Sequence, residues 1–202
     1  MVLEKRDMIT DLKMLDSNKI YSYADYLTWR FEEQIEIIKG RIFEMCPAPS
    51  THHQRVSLRL LREISNFLKG KKCEVFAAPF DVRLPDRKKS SNDNQVFTVV
   101  QPDICIICDS EKLDERGCIG SPDLIIEIIS KSTKNRDLND KFKLYEEAGV
   151  PEYWIVHPND ATVSVFELKK GKYLFRKMYG DEEMIKVGIF DNFEFDLKDV
   201  FY

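Results

Sequence analysis

The sequence predicts a mixed α/β (α+β) fold, with a central β-sheet flanked by helices. Three observations carry this. Residues 52–69, HHQRVSLRLLREISNFLK, place Val56, Leu60, Ile64, Phe67 and Leu68 on one helical stripe that stops at Gly70. Two aliphatic runs, PDICIIC (102–108) and PDLIIEIIS (122–130), have the length and β-branching of buried strands. A helical stretch at 137–148, with Asp137 as N-cap and Gly149 as stop, then leads into the strand EYWIV at 152–156.

The remaining elements follow in order. Residues 1–20 are polar, lack a convincing period and read as an N-terminal extension to a single domain spanning 21–202. Tyr23, Tyr26, Leu27 and Phe31 recur at helical spacing, which predicts a helix over about 25–34. IEIIKGRIFEM, 35–45, reads as a hairpin turning at Lys39-Gly40, and CPAPST breaks the chain after it. CEVFAAPFDVRL (73–84) is a strand or bent strand, and 86–95 is a polar loop. Residues 96–108 are extended with a bend at Pro102, and 109–121 form a second long loop. Residues 161–178 and about 184–195 alternate like C-terminal β-hairpins, the first turning at Lys170-Gly171.

Composition narrows the function. The net charge of −4 excludes a surface coated in positive charge, so a nucleic-acid enzyme would need a local basic patch. The apolar runs are far shorter than the roughly 20 residues that cross a bilayer, so no membrane role is expected. The first residues lack a signal peptide's apolar stretch, and the cytoplasm is the expected location. The five cysteines, Cys46, Cys73, Cys105, Cys108 and Cys118, are expected to be free thiols on that ground. Cys105 and Cys108 form a C-x-x-C, but on a strand they face opposite ways.

The chemistry concentrates in 102–156. Glu127 interrupts an aliphatic strand, and a buried carboxylate is costly unless it is paired, protonated or metal-bound. If the two aliphatic strands are antiparallel neighbours turning about Glu115, Asp103 falls opposite Glu127 and Asp123 falls opposite Ile107. Asp123 and Glu127 share a face but stand roughly 13 Å apart, too far to grip one ion. On the helix, Leu138, Phe142 and Tyr145 define an inward face. Lys141 lies about 60° from its centre, whereas Lys143 points away. Two acids and a lysine make a hydrolytic set, the acids for a divalent ion and the lysine for developing charge. Blander roles stay open: a snorkelling Lys141, a turn-capping Asp103, a Glu127 paired with arginine. His52 and His53 point about 100° apart, so one at most could join a site, and helix-entry capping or packing accounts for both. The loop RKKSSNDN could touch a phosphate backbone or simply be solvated.

These residues carry a resemblance. PDICIIC, then PDLIIEIIS-x-ST, then D-x-x-x-K-x-x-x-Y-x-x-AGVPEYWIV is similar to the Uma2 (DUF820) family of the PD-(D/E)XK nuclease superfamily. Upstream, Glu36 within IEIIKG and Pro49, His53, Gln54 and Val56 at the helix entry resemble family text. The resemblance covers about 20–158 and implies a restriction-endonuclease-like core. It implies a metal-dependent DNA endonuclease in which Asp103 and Glu127 hold Mg²⁺ or Mn²⁺. Lys141 matches the lysine, displaced to the helix because Ile129 stands at the usual E-x-K position, and Glu36 matches an acidic position that completes the site. The chain departs from the pattern at Lys39, Arg41, Lys131 and His157. DNA is the implied partner, and double-strand cleavage would call for a homodimer. The alternatives are a catalytically inactive nuclease-fold protein that binds nucleic acid or protein, and hydrolysis of another phosphate ester.

Overall fold

The structure, a computed structural model, describes residues 8–45, 49–85, 92–129 and 137–202, leaving out the side chains of 137 and 138. The described strands fall mainly into two six-stranded sheets. The first has the order β2–β1–β5–β4–β8–β7, from β1 (Ile35–Ile38), β2 (Arg41–Glu44), β4 (Val82–Arg83), β5 (Val99–Val100), β7 (Leu113–Asp114) and β8 (Gly117–Ile119). The second has the order β12–β11–β10–β9–β6–β3, from β3 (Glu74–Ala77), β6 (Ile104–Ile107), β9 (Leu124–Ile128), β10 (Glu152–His157), β11 (Thr162–Lys169) and β12 (Lys172–Gly180). It is mixed: β9 and β10 run parallel, joined through helix α3 (Phe142–Ala148), while its other neighbours are antiparallel. A small hairpin, β13 (Met184–Lys186) with β14 (Glu194–Asp196), follows.

Helix α2 (Thr51–Leu68) covers one face of the second sheet. Its stripe of Val56, Leu60, Ile64 and Leu68 packs on Ile104, Ile106, Leu124, Ile126, Ile128 and Trp154. The other face carries Cys105, Ile107, Ile125 and Ile155, which pack on Leu144 and Tyr145 of α3 and on Val82, Val100 and Cys118 of the first sheet. Both faces of β6 and β9 are therefore buried, which is why their sequences are continuously aliphatic rather than alternating. Each fully buried Leu or Ile here is worth about 1.5–3 kcal/mol of transfer free energy.

The structure departs from expectation in four places. The bends expected in 73–84 and at Pro102 are changes of sheet: each segment is divided between the two sheets, at Ala78-Pro79 and at Gln101-Pro102. The proline ends a ladder because it has no N–H to donate. The expected loop 109–121 contains the antiparallel pair β7–β8. The expected helix at 25–34 is only α1 (Tyr23–Tyr26), closed by a Ser22–Asp25 capping box. The aromatic residues beyond it build a cluster instead: Tyr26 meets Trp29 edge-on, and Trp29 stacks on Phe31. Fourth, Cys73 and Cys108 form a disulfide, against the expectation of free thiols. The antiparallel register Glu74↔Ile107 brings the preceding and following residues face to face, a proximity that compartment-based reasoning does not see. Cys105 and Cys118 are free and buried, and Cys46 lies outside the described residues.

The 35–45 hairpin turns at Lys39 and Gly40, both in the left-handed region (φ 51° and 80°), as a tight two-residue turn requires. Helix α2 opens with the Ser50 side chain accepting from the His53 N–H.

One buried carboxylate is purely structural. Glu152, 1% exposed, accepts from Trp154 Nε1 at 2.6 Å and from the Ile189 N–H at 2.8 Å, so it clips the segment before β14 to the sheet. Burial pushes its carboxyl up from the usual carboxylate range. Glu152→Ala would strand the buried Trp154 Nε1–H, at about 1–3 kcal/mol, and release the partly buried Ile189 N–H. The variant should unfold in urea at a clearly lower midpoint with an unchanged slope, followed by tryptophan fluorescence; an unchanged midpoint would refute the clip.

Candidate active site

The site forms where β6 begins and β9 ends. Ile104 opposes Ile126 across the ladder, so one step further Asp103 comes level with Glu127, the register inferred from the loop's symmetry about Glu115. Asp123, at the far end of the sheet, accepts the Cys108 N–H.

Side-chain alternation turns Glu127 toward α3, because Ile125 and Ile129 lie in the core beneath that helix while Leu124, Ile126 and Ile128 lie beneath α2. There Glu127 Oε1 accepts from Lys141 Nζ at 2.9 Å and from the Tyr145 hydroxyl at 2.7 Å. Lys141 closes a π-helical turn, Asp137–Lys141, that runs into α3, and is 3% exposed; Lys143 faces solvent. The same ammonium lies 2.9 Å from Glu36 Oε1, so one cation bridges two buried carboxylates from different sheets. Glu36 Oε1 also accepts the Gln101 N–H at 2.9 Å. Its Oε2 is buried without a hydrogen-bond partner.

Asp103 is held differently. Its Oδ2 accepts the Ile128 N–H at 2.7 Å, so the carboxylate continues the ladder of the sheet rather than rising off it. Its Oδ1 lies 3.3 Å from His53 Nε2, on the first turn of α2. His52 points elsewhere, with Nε2 at 3.0 Å from the Pro158 carbonyl. Asp103 thus sits beside Glu127 in sequence register, while Glu36, Glu127 and Lys141 are in direct contact.

Residue reasoning did not single out Tyr145 and Gln101 for the site. Tyr145 reads as one more member of an inward apolar face, yet it falls four residues after Lys141 and shares its side of the helix, which is the signal that could have found it. Complete burial and the neighbouring Glu127 hold its phenol well above the usual tyrosine range. Gln101 joins the site to a second polar group: its amide donates to Asp81 Oδ1, whose Oδ2 accepts from Tyr23. Burial raises the Asp81 carboxyl. Gly117 packs against the same residue so closely that a Cβ there would meet the Asp81 carbonyl oxygen at 2.2 Å.

The donors are all oxygens, the type preferred by hard divalent cations, and the unpartnered Glu36 oxygen leaves unused acceptor capacity within the site. Among the described residues no group of three or more His, Cys, Asp or Glu is poised around one point. A Mg²⁺ site needs fewer, since one or two carboxylates completed by water and substrate phosphate suffice. The basic stretch 87–91 and Lys131 lie outside the described residues.

Three comparisons bear on this arrangement. A family model described as "Uma2: Putative restriction endonuclease" matches residues 23–198. "Uncharacterized protein slr1290" of Synechocystis sp. is 27% identical over 148 residues, 72% of this chain and 73% of that protein. "Uncharacterized protein sll1609" of the same organism is 27% identical over 138 residues, 66% and 72% of the two chains. Among solved structures, "a putative nuclease belonging to DUF820" from Anabaena variabilis ATCC 29413 matches with a TM-score of 0.67 at 18% identity, covering 90% of this chain and 97% of that one. That likeness shows a shared fold.

The Tyr145–Glu127 contact has a pH signature. The phenol's pKa is raised on folding from about 10, so the unfolded chain releases the proton first and stability falls as pH rises past 10. Tyr145→Phe should cost about 1 kcal/mol at neutral pH, the usual net worth of one such hydrogen bond. Its alkaline loss of stability should be shallower than that of the unmodified chain. Urea unfolding at stepped pH tests both, and parallel alkaline slopes would show that the hydroxyl is not buried against Glu127.

Proposed function

The chain belongs to the Uma2 family, and from that premise we propose that it is a divalent-metal-dependent endonuclease that hydrolyses phosphodiester bonds in DNA. The observation that carries the reading is the pairing of a buried strand glutamate, Glu127, with a buried helix lysine, Lys141, where Asp103 comes level across the ladder. Charges taken out of water at such cost concentrate where chemistry uses them. Among the described residues no helix is long and apolar enough to cross a membrane.

Asp103 and Glu127 are the residues that would hold Mg²⁺ or Mn²⁺. Bound there, the ion would supply polarisation of a phosphoryl oxygen and a lowered pKa for water. The chain's own groups do the rest. The Ile128 N–H and His53 fix the Asp103 carboxylate, and Tyr145 fixes that of Glu127. Lys141 places its ammonium beside the scissile phosphate and stabilises the charge that builds on it. Glu36 sets the position of Lys141. Cutting both strands of a duplex would need a second copy of the chain.

A rival reading, a nuclease-fold module that binds without cutting, draws on one observation: Glu127 Oε1 is already engaged by Lys141 and Tyr145. Incubation with varied DNA and Mg²⁺ or Mn²⁺ decides between them. EDTA-sensitive nicks or breaks are expected, and they should vanish in Glu127→Ala, where Lys141 keeps Glu36 as a partner and the chain remains folded. Lys141→Ala should lose at least about 100-fold in rate, the scale of removing one charge-stabilising group. Lys143→Ala, on the exposed side of the helix, should be nearly silent. Binding without cleavage under any divalent ion would favour the module, and cleavage that persists in folded Glu127→Ala would belong to another protein.

A further inference from the structure

The bridging ammonium raises a question of order: Glu127 cannot give Oε1 to a divalent ion while Lys141 and Tyr145 both hold it. We propose that Lys141 is a place-holding cation, which neutralises Glu127 in the ion-free protein and withdraws onto Glu36 when a divalent ion takes Glu127. This rests on the metal-dependent reading above and adds to it a role for Glu36 as the residue that receives the lysine rather than a ligand.

Four features support it. The ammonium is equidistant, 2.9 Å from one oxygen of each glutamate, so a small swing commits it to either. All three side chains are at most 5% exposed, and water cannot replace the lysine as the counter-charge when no ion is bound. Glu36 has the spare capacity to receive it: Oε2 carries no hydrogen bond, whereas Oε1 is already anchored by the Gln101 N–H. Finally, Glu36 stands on β1 of the first sheet, while Glu127 on β9 and Asp103, just before β6, come level across one ladder of the second, so the proposal pairs those two acids for an ion.

The test is Mn²⁺ binding by calorimetry, with thermal melts to confirm folding. Lys141→Met removes the competitor and should tighten Mn²⁺ binding at least about tenfold, the low end for a close charge pair. Lys141→Gln, which keeps a neutral donor, should move the same way and covers the case in which the methionine variant does not fold. Glu36→Gln removes the carboxylate that would receive the lysine and should weaken binding by a similar factor. The deciding sample is Glu36→Gln with Lys141→Met: once no lysine needs a place, losing Glu36 should cost less than about threefold, a residual field effect at short range. A double variant as weak as Glu36→Gln alone would make Glu36 a ligand and overturn the proposal. Unchanged or weakened binding in both folded Lys141 variants would overturn it as well, while leaving the metal-dependent reading in place. Absence of Mn²⁺ binding in all the proteins would overturn both.

Discussion

A single ammonium held between two carboxylates is the constraint on which the rest of the site depends. Glu36 comes from β1 of the first sheet, Glu127 from β9 of the second, and Lys141 from the turn that opens α3. To bring the three together, the sheets must pack on the same side of α3, and the connection from β9 to the parallel β10 must pass over them. The apolar side chains around them, Ile125, Ile155, Leu144 and Val100, set the packing. They also deprive the charges of water, so each must be satisfied by another. Apolar residues of similar volume would serve the fold at least as well, because a buried ion pair rarely outweighs its own desolvation. Stability alone therefore does not account for three charged groups at this position.

The parts of this arrangement that were legible in the sequence are those governed by local repeat. Alternation and loop symmetry about Glu115 put Asp103 level with Glu127, and the 100° step of a helix turned Lys141 inward and Lys143 outward. The long stripe of α2 and the turn at Lys39-Gly40 were equally local. What escaped was long-range. Glu36 is 91 residues from Glu127 and 105 from Lys141, and residue spacing alone does not say that a strand of another sheet will supply the lysine's second partner. The division of 73–84 and 96–108 between two sheets escaped for the same reason. Each segment has strand composition throughout, and only the packing of the finished molecule decides where one sheet ends and the next begins. The Cys73–Cys108 bond belongs here too, being a product of the β3–β6 register rather than of cysteine spacing.

Helix-like aromatic spacing at 23–31 misled because spacing reports which residues meet, not how. Tyr23, Tyr26, Trp29 and Phe31 do meet, stacked or edge-on, but only Tyr23 and Tyr26 share a helix; Trp29 and Phe31 join from beyond its end. In this cluster Trp29 is buried, with Tyr26 and Phe31 partly buried against it. The cluster needs no helical hydrogen bonds beyond the single turn that Ser22 and Asp25 close.

Exposure is graded across the site, and the grading constrains how it can work. The Asp103 side chain is 23% exposed, against 5% for Glu127, 4% for Lys141 and none for Glu36. Solvent and anything dissolved in it therefore meet Asp103 first. With the carboxylates ionised, three acids and one lysine leave two excess negative charges, in a chain that is itself negative overall. An anionic backbone arriving on that side faces repulsion that Lys141, buried and already shared between two glutamates, cannot offset by itself. On the nuclease reading, Asp103 and Glu127 would hold a divalent ion whose charge would offset that repulsion as well as supply the chemistry. On the same reading Lys141, once off Glu127, would stay paired with Glu36, so Glu36 sets where the ammonium stands relative to an incoming phosphate.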